Sequence, residues 1–252
     1  MTDRTYRGVA RLAGGAFRAL DLRLDVAGQE HIPAAGGGLV VINHIGYLDF
    51  ALAGLPFWRE QRRLVRFMAK QEVFTGRLTG PLMRAMGHIP VDRGAGAASF
   101  RTAIEALRAG ELVGVFPEAT ISRSFCLKEF KSGAARMART AGVPLIPTTL
   151  WGSQRVWTKD RKPTIRAARH IPISITIGAP MKPGRGAAAT TELVEVMNEL
   201  LDKTRARYPD APGDDPWWMP AHLGGTAPTP ERAAELDAEE QRERARRREA
   251  RG

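Results

Sequence analysis

Short apolar runs alternate with segments of helical periodicity through the middle of the chain, and this alternation restricts the folds available to it. Residues 39–42 and 112–116 are apolar runs with the length and composition of buried strands, and residues 171–177 alternate as another strand would. Segments with helical spacing lie between or after these runs, at residues 99–109, 130–141 and 192–207. Strands that alternate with helices predict an α/β fold, with a mostly parallel central sheet flanked by helices on both faces. A chain of 252 residues is long enough for one such domain.

Two more helices and two more strands complete the predicted domain. Residues 50–66 predict a helix interrupted near Pro56, and residues 74–86 predict a second apolar helix. Short strands are predicted at residues 87–93 and 143–147. In parallel sheets the binding crevice lies beyond the carboxyl ends of the strands, so polar side chains at those ends are the candidates for a functional site.

His44 and Asp49 stand five positions apart directly after the run at residues 39–42. On one regular helix they would be separated by about 140° around the axis, but they can meet if His44 ends the strand and Asp49 lies in the first helical turn. An imidazole whose tautomer is fixed by a carboxylate is a general base, and it can act directly on a substrate hydroxyl. The alternative is a solvated pair, or an Asp49 carboxylate that only stabilises the start of the helix.

Cationic and polar side chains follow two other predicted strands. Arg93 precedes a small-residue loop that opens a helix, where free N–H groups and a guanidinium suit a phosphate monoester. Further polar side chains follow the strand at residues 112–116, namely Glu118, Thr120, Arg123, Lys128 and Lys131. Arg93 could instead pair with Asp92 on the surface, and Glu118 could stabilise a helix start. The loop at residues 94–99 lacks the third glycine of a dinucleotide fingerprint, so a nucleotide cofactor is not predicted.

The formal charge of +11 predicts that the chain binds negatively charged partners. Nucleic acid, an anionic membrane surface and phosphorylated substrates are all compatible with it. Aromatic side chains are few and not interleaved with the basic ones, so no nucleic acid partner is expected. Cys126 is the only cysteine, which excludes an intrachain disulfide and favours a reducing compartment.

Residues 1–30 predict an amphipathic helical segment that lies at a membrane interface. Apolar residues including Phe17 follow helical spacing, whereas Arg7, Arg11 and Arg18 lie on another side, so these four are the predicted membrane contacts. The alternative is a helix packed on the domain with its arginines in water. No secretory signal and no transmembrane span are predicted, which places the protein peripherally on the cytoplasmic side of the membrane.

The rest of the chain divides into three predicted parts. Residues 31–208 form the α/β domain, and residues 209–230 form an extension rich in Pro, Gly and Asp. Trp217 and Trp218 in this extension either dock on the domain, which is the more usual arrangement, or sit at the lipid interface. Residues 231–252 are nearly all Ala, Arg and Glu and predict a charged tail, either a solvated helix or disordered.

Four sequence blocks together resemble the glycerolipid acyltransferase family, which includes the bacterial 1-acylglycerol-3-phosphate acyltransferases. The blocks are the HxxxxD motif with its preceding Asn43, and the segments at residues 87–93, 116–120 and 143–147. They occur in the family order, and the resemblance covers about residues 20 to 205. Two positions depart from the family pattern, because Ala119 stands where Gly is common and Ile121 where Arg is common.

The resemblance implies acyl transfer from acyl-CoA or an acyl-carrier protein to a hydroxyl of lysophosphatidate, which gives phosphatidate in phospholipid biosynthesis. It implies His44 as the general base, Asp49 as its partner, and neither a tightly bound cofactor nor a metal. The residues that would hold the lysophospholipid acceptor are Asn43, Arg93, Glu118, Thr120, Arg123 and Lys131. Backbone N–H groups near the His44 turn are the expected donors to the tetrahedral oxyanion.

Loss of the family arginine at Ile121 leaves the acceptor open, with Arg123 as a replacement for its charge. The acceptor could instead be another lysophospholipid, glycerol-3-phosphate or a glycolipid hydroxyl. A protein of another class, one that binds anionic lipid or nucleic acid without catalysis, is the remaining alternative.

Overall fold

The structure is a computed structural model, and it describes residues 2–92 and 96–249. Within these residues it has seven strands, β1 (Arg23–Ala27), β2 (Gly38–Ile42), β3 (Val65–Lys70), β4 (Ile89–Val91), β5 (Leu112–Val115), β6 (Leu145–Trp151) and β7 (Pro172–Ile177). The α-helices of the same residues are α1 (Thr2–Ala19), α2 (Asp49–Gln61), α3 (Gln71–Thr75), α4 (Thr79–Ala85), α5 (Gly96–Arg108), α6 (Gly133–Ala141), α7 (Ser153–Val156), α8 (Ala188–Ala206) and α9 (Pro230–Glu249).

The seven strands form one mostly parallel sheet in the order β1-β7-β6-β2-β5-β3-β4. Only the pair β6 and β7 is antiparallel. One apolar cluster joins α1 and α2 to one face of the sheet through residues such as Val40 and Ile42. A second cluster joins α5, α6 and α8 to the other face through Leu39 and Val41. The predicted fold class, a mostly parallel sheet with helices on both faces, is therefore confirmed.

The central strands β2, β5 and β6 are buried along their whole length, as expected for apolar runs covered by helices on both faces. Strand β2 pairs in parallel with β5 on one side and with β6 on the other. The carboxyl ends of these three strands therefore lie side by side at one edge of the sheet. Polar residues that are far apart in sequence can meet there.

Helix α1 packs its apolar side on the domain. Phe17 is 6% exposed, and the hydroxyl of Tyr6 donates a hydrogen bond to the carbonyl of Val65 at 2.7 Å. The predicted membrane contact of Phe17 is therefore wrong, because that ring belongs to the core beneath the helix. The arginines at positions 7, 11 and 18 are exposed, as the alternative of a packed helix required.

The helical segment predicted at residues 1–30 is shorter than expected. Helix α1 ends at Ala19, and β1 then joins the edge of the sheet beside β7. Leu24 and Val26 of this strand pack against the core next to α2, so residues 23–27 belong to the α/β domain.

The predicted helix at residues 50–66 also ends early. Helix α2 stops at Gln61 because Arg62 adopts a left-handed backbone with φ near +55°. Strand β3 begins at Val65, and Arg66 points into a set of partners that includes Asp3 and Glu111. The basic residues Arg59, Arg62, Arg63 and Arg66 thus lie on a helix end, a turn and a strand rather than on one helix.

The C-terminal part is docked at its beginning and exposed toward its end. Trp218 is 5% exposed and belongs to a cluster with Ile45, Trp151 and Leu201, so the docking expected for the tryptophan pair is present. Helix α9 follows, and most of its described side chains are exposed, as the predicted solvated helix required. The exception is Asp237, which is 7% exposed because it meets cations of the domain that lie far away in sequence.

None of the helices within residues 2–92 and 96–249 combines the length and the apolar character needed to cross a bilayer.

Candidate active site

The contact predicted between His44 and Asp49 is present at the carboxyl end of β2. His44 Nδ1 lies 2.9 Å from Asp49 Oδ2, with Asp49 in the first turn of α2. An ionised carboxylate only accepts hydrogen bonds, so Nδ1 carries the proton and the lone pair of Nε2 is available. The His44 ring stacks on Phe116 with centroids 4.1 Å apart, and its side chain is 21% exposed. This arrangement leaves a basic nitrogen that a substrate can reach.

Asp49 is fully buried, and its carboxylate is satisfied by four donors. Oδ2 accepts the Nδ1–H of His44 and the backbone N–H groups of Ile45 and Gly46, at 2.7 and 2.8 Å for the latter two. Oδ1 accepts the hydroxyl of Ser153 at 2.6 Å. Such a set of hydrogen bonds prevents rotation of the carboxylate. Asp49 thereby holds both the imidazole and the turn that carries it.

The turn between His44 and Asp49 is also held by the loops after β5 and β6. Ser122 N–H donates to the carbonyl of His44 at 2.7 Å, and the hydroxyl of Thr158 donates to the carbonyl of Ile45 at 2.7 Å. A side chain at Gly46 would not fit, because a Cβ there would lie 2.9 Å from the carbonyl oxygen of Trp157. The three neighbouring strand ends therefore fix the position of the base.

The expected oxyanion donors at the His44 turn are not free. His44 N–H donates to Glu118, Ile45 and Gly46 N–H donate to Asp49, and Tyr47 N–H donates to Trp157. These backbone groups build the turn instead, so the prediction that they face the reaction is wrong. In a tight turn around a buried carboxylate, the backbone N–H groups of the turn are already hydrogen-bonded within the protein.

Asn43 does not face the site. Its side chain is fully buried, with Nδ2 donating to the carbonyl of Leu150 at 3.0 Å and Oδ1 accepting from Leu150 N–H at 2.8 Å. Its amide thus replaces ladder hydrogen bonds between the end of β2 and β6. The predicted contact of Asn43 with substrate is corrected to a bridge between two strand ends.

Glu118 is also turned away from solvent. Its Oε1 accepts from His44 N–H at 2.8 Å, its Oε2 accepts from Lys128 N–H at 3.1 Å, and the residue is 4% exposed. Burial raises the pKa of Glu118 to about 8, although these two backbone donors act in the opposite direction. The predicted acceptor contact of Glu118 is corrected to a link between the base and the loop at residue 128.

Arg123 is enclosed by acidic partners. Its guanidinium pairs with Asp160, Asp237 and Glu240, and the residue is 8% exposed. Thr120 accepts a hydrogen bond from Lys159 Nζ at 2.9 Å. Lys131 is exposed beside this loop, with its N–H donating to the carbonyl of Pro117. Four of the five guanidinium N–H groups of Arg123 donate to these carboxylates, so its predicted contact with the acceptor is corrected to an ion-pair network within the protein.

Arg93, the remaining predicted acceptor contact, lies outside the residues that the structure describes. Ile121, which stands where the resembled family has an arginine, is 4% exposed and points into the protein. Among the described residues, no group of three or more His, Cys, Asp or Glu side chains converges in a way that could hold a metal ion.

Three residues of the site were not found from the sequence. Ser153, Thr158 and Lys159 all follow β6, whose predicted end at residue 147 falls short of its observed end at Trp151. The rule that polar residues after a strand form the site would have pointed to Ser153 if the strand had been extended through the apolar Leu150 and Trp151.

A cavity lies between α1 and α2, beside the candidate site. It has a volume of about 50 Å³ and an apolar lining that includes Tyr6, Phe50, Trp58 and His88. His88 Nδ1 accepts from Phe67 N–H at 3.0 Å, whereas its Nε2 has no hydrogen-bond partner among residues 2–92 and 96–249. Burial, together with the nearby Arg66, lowers the pKa of His88 to about 4.

The sequence was compared with known protein families and with curated proteins. A family model described as Acyltransferase matches residues 23–151. The chain is 32% identical over 128 residues to 1-acyl-sn-glycerol-3-phosphate acyltransferase of Bacillus subtilis, which covers 50% of this chain and 62% of that protein. It is 30% identical over 139 residues to the chloroplastic enzyme of that name, BAT2, of Brassica napus, covering 53% and 39%. The chain thus spans about half the length of the curated relatives it matches.

The fold was compared with solved structures in the same way. It resembles the crystal structure of the 1-acyl-sn-glycerophosphate (LPA) acyltransferase, PlsC, from Thermotoga maritima, with a TM-score of 0.68 and 25% sequence identity. The similarity covers 81% of each chain.

Proposed function

Because this chain belongs to the acyltransferase family, we propose that it transfers a fatty acyl group from an acyl thioester to a free hydroxyl of lysophosphatidate. The product is phosphatidate, a precursor of phospholipids. The observation that carries this proposal is the contact of 2.9 Å between His44 Nδ1 and Asp49 Oδ2, at the strand ends where a substrate can enter. The names of the relatives support the same acceptor.

His44 acts as the general base. Nε2 takes the proton of the acceptor hydroxyl while the oxygen attacks the thioester carbonyl carbon. The tetrahedral intermediate then collapses, the C–S bond breaks, and the thiolate leaves with the proton from the imidazolium. A base positioned in this way contributes about 10²–10⁴-fold to the rate.

Asp49 keeps the imidazole in the tautomer that this reaction needs. Its carboxylate stabilises the imidazolium that forms, and Ser153 and the turn hold the carboxylate in place. Because all four of these donors are fixed before substrate binds, little reorganisation accompanies proton transfer.

The donor in this proposal is acyl-CoA or an acyl-carrier protein, and no tightly bound cofactor takes part. Thr120, Lys131 and Arg93 are proposed to contact the headgroup of the acceptor. Lys131 is exposed next to the loop that holds Glu118, so its ammonium group is accessible to a headgroup. A phosphate dianion is the partner that such cations recognise.

The protein is further proposed to work peripherally at the cytoplasmic surface of an anionic membrane, where its substrates reside. Arg7, Arg11 and Arg18 are exposed on α1, and the neighbouring Leu12 is 76% exposed. Each basic residue near an anionic bilayer contributes about 1 kcal/mol of attraction. A matched control pair is available in Arg101 and Arg139, which are exposed on α5 and α6 across the sheet.

Vesicle sedimentation tests this membrane proposal. Changing Arg7 and Arg11 to Gln should weaken binding to anionic vesicles, whereas changing Arg101 and Arg139 to Gln should not. Equal loss in both variants would assign the binding to net charge rather than to α1.

A related acceptor is the second candidate, and the burial of Ile121 favours it. The family arginine that is absent there would have contributed a cation, and Arg123 is already paired with three carboxylates. A lysophospholipid whose phosphate is a diester, or a glycolipid hydroxyl, would need fewer cations than lysophosphatidate does, whereas glycerol-3-phosphate carries the same phosphate monoester and would need as many.

The decisive experiment combines labelled acyl donors with a panel of these acceptors in detergent or vesicles. We expect transfer to lysophosphatidate, and a fall of about 10²–10⁴-fold in the His44→Ala variant. His170→Ala is a matched control, because His170 Nδ1 lies 2.7 Å from Asp21 Oδ2 in an exposed pair away from the site. Equal rates in the two variants would exclude His44 as the base, and transfer to a different acceptor alone would favour the second candidate.

A further inference from the structure

Helix α9 carries two carboxylates into a group of cations beside the candidate active site. Asp237 and Glu240 lie three positions apart and share one face of the helix with Ala233. Asp237 is 7% exposed and Glu240 is partly buried, whereas most other described side chains of α9 are exposed. The contact of this helix with the domain is therefore centred on two acidic side chains.

The partners of these carboxylates are Arg123, Lys128 and Lys159, which we call the basic cluster. Asp237 accepts hydrogen bonds from all three, with 2.9 Å between its Oδ1 and Lys159 Nζ. Glu240 Oε2 lies 3.2 Å from both Arg123 Nη1 and Lys159 Nζ. Charge pairing thus dominates the docking of α9.

The basic cluster belongs to the same loops as the candidate base. Lys128 N–H donates to Glu118 at 3.1 Å, and the other oxygen of Glu118 accepts from His44 N–H at 2.8 Å. Lys159 Nζ also donates to the hydroxyl of Thr120 at 2.9 Å. An anion bound by the cluster would therefore lie next to the segment that positions His44.

The carboxylates that surround the basic cluster come from two parts of the chain. Asp237 and Glu240 belong to α9, where Glu240 also pairs with Arg244, and Asp160 pairs with Arg123 from the domain side. Of these three carboxylates, only Asp160 would remain beside the cluster without α9. The two carboxylates of α9 carry about the charge of one phosphate monoester, which is −1.5 to −2 at neutral pH.

The side chains of Arg123 and Lys159 are only 8% and 9% exposed. A nearly buried cation that loses its partner is strongly destabilised, so the carboxylates can leave only if another anion replaces them. Helix α9 itself can remain folded when it leaves, because pairs such as Arg247 with Glu243 lie within the helix. The carboxylates of Asp237 and Glu240 thus occupy a site from which another anion could displace them.

We propose that the basic cluster is a binding site for a phosphate monoester, and that α9 is a removable acidic cover whose Asp237 and Glu240 occupy this site until a phosphate displaces them. The inference rests on the proposed function only in naming lysophosphatidate as the lipid that brings the phosphate. Inorganic phosphate offers the same chemistry and can be tested without a lipid.

The test measures ligand affinity in full-length His44→Ala protein, so that no acyl transfer takes place. Asp237→Asn and Glu240→Gln are added together. The control adds Glu235→Gln and Glu239→Gln, which neutralise two carboxylates of α9 whose ion pairs, within the described part of the chain, are with Arg232. Calorimetry then gives Kd for inorganic phosphate at constant ionic strength, and for lysophosphatidate and lysophosphatidylcholine in neutral detergent micelles.

The first pair of substitutions should tighten binding of phosphate and lysophosphatidate by about 5- to 150-fold, the usual range for coupled binding events. The control pair should match the parent, and lysophosphatidylcholine should show no gain. A gain for lysophosphatidate without one for inorganic phosphate would identify the lipid headgroup as the source of the phosphate. Unchanged or weaker affinity, or an equal gain in the control pair or with lysophosphatidylcholine, would overturn the proposal.

Circular dichroism checks that each variant folds. If the double variant does not fold, Glu240→Gln alone replaces it, with Glu239→Gln as its control. The gain in phosphate affinity should then be smaller than the gain expected for the pair. Acyl transfer is assayed separately with His44 intact. Tighter phosphate binding without any acyl transfer would support α9 as a removable cover and exclude the proposed function. Acyl transfer without tighter phosphate binding would support the proposed function and exclude the cover.

Discussion

The carboxylate of Asp49 holds the imidazole of His44 from the Nδ1 side at 2.9 Å, and the same oxygen accepts two backbone N–H groups of the turn between them. Orientation of the base and conformation of the turn therefore depend on one buried side chain. Changes to Asp49 and to the residues around it should separate these two effects.

Replacement of Asp49 by Asn should lower kcat by about 10²–10⁴-fold. The amide would present an N–H group to one of the donors that now surround the carboxylate, and it would no longer stabilise the imidazolium. Steady-state kinetics with a labelled thioester measures the effect. Asp21→Asn, in the exposed pair with His170, is the control, and similar losses in both variants would contradict the role of Asp49.

Replacement of Ser153 by Ala should lower the free energy of unfolding by about 1.5–3 kcal/mol, because a hydrogen bond to a buried carboxylate is lost. Ser174→Ala is a matched control, since Ser174 is also fully buried but its hydroxyl has no hydrogen-bond partner among the residues that the structure describes. Chemical denaturation compares the two variants. An equal loss of unfolding free energy in both variants would mean that the hydroxyl of Ser153 stabilises the fold only by filling space, and not through its hydrogen bond.

Replacement of Asn43 by Ala should destabilise the fold by about 2 kcal/mol or more, because the N–H and the carbonyl of Leu150 would be left buried without partners. KM for the acceptor should stay near the wild-type value in protein that remains folded. A large rise in KM without loss of stability would restore the substrate contact that the sequence suggested.

Replacement of Ala119 by Gly should raise the free energy of unfolding by up to about 1 kcal/mol, because a side chain at positive φ is strained and Gly relieves the strain. Ala119 has a φ near +59°, and glycine is common at this position in the family. Ala16→Gly, at an exposed position inside α1, should have the opposite sign and cost about 1 kcal/mol. Thermal and chemical unfolding provide both values.

Acid should destabilise the protein through His88. Burial holds the pKa of the folded imidazole at about 4, below its ordinary value of 6.5, so the unfolded chain binds the proton more readily between these values. The stability that depends on neutral His88 is fully present above pH 6.5 and is lost as the pH falls toward 4.

His88→Asn should flatten this pH dependence, because the amide oxygen can still accept from Phe67 N–H but does not titrate. Denaturation at pH 7 and at pH 5 gives the free energy of unfolding of each protein. Its decrease from pH 7 to pH 5 should be about 2 kcal/mol larger in the wild type than in the variant. An identical slope in the two proteins would assign the acid sensitivity to other groups.

Much of the fold and the centre of the site could be predicted because they depend on neighbours in sequence. Apolar runs such as residues 39–42 indicate strands through their own periodicity, and the spacing of His44 and Asp49 indicates a turn between a strand and a helix. The helix predicted at residues 50–66 failed where one residue, Arg62, takes a left-handed conformation that periodicity does not encode.

Local pattern therefore determined the class of fold, the alternation of its elements and the pairing of the imidazole with its carboxylate. Only the tertiary structure decided which polar side chains support that pair and which have other partners. Ser153 reaches Asp49 across 104 positions of sequence, and Asp237 reaches Arg123 across 114. Such partners meet because strand order brings distant loops to one edge of the sheet, where a buried charge or amide bonds with whichever complementary group lies within about 3 Å.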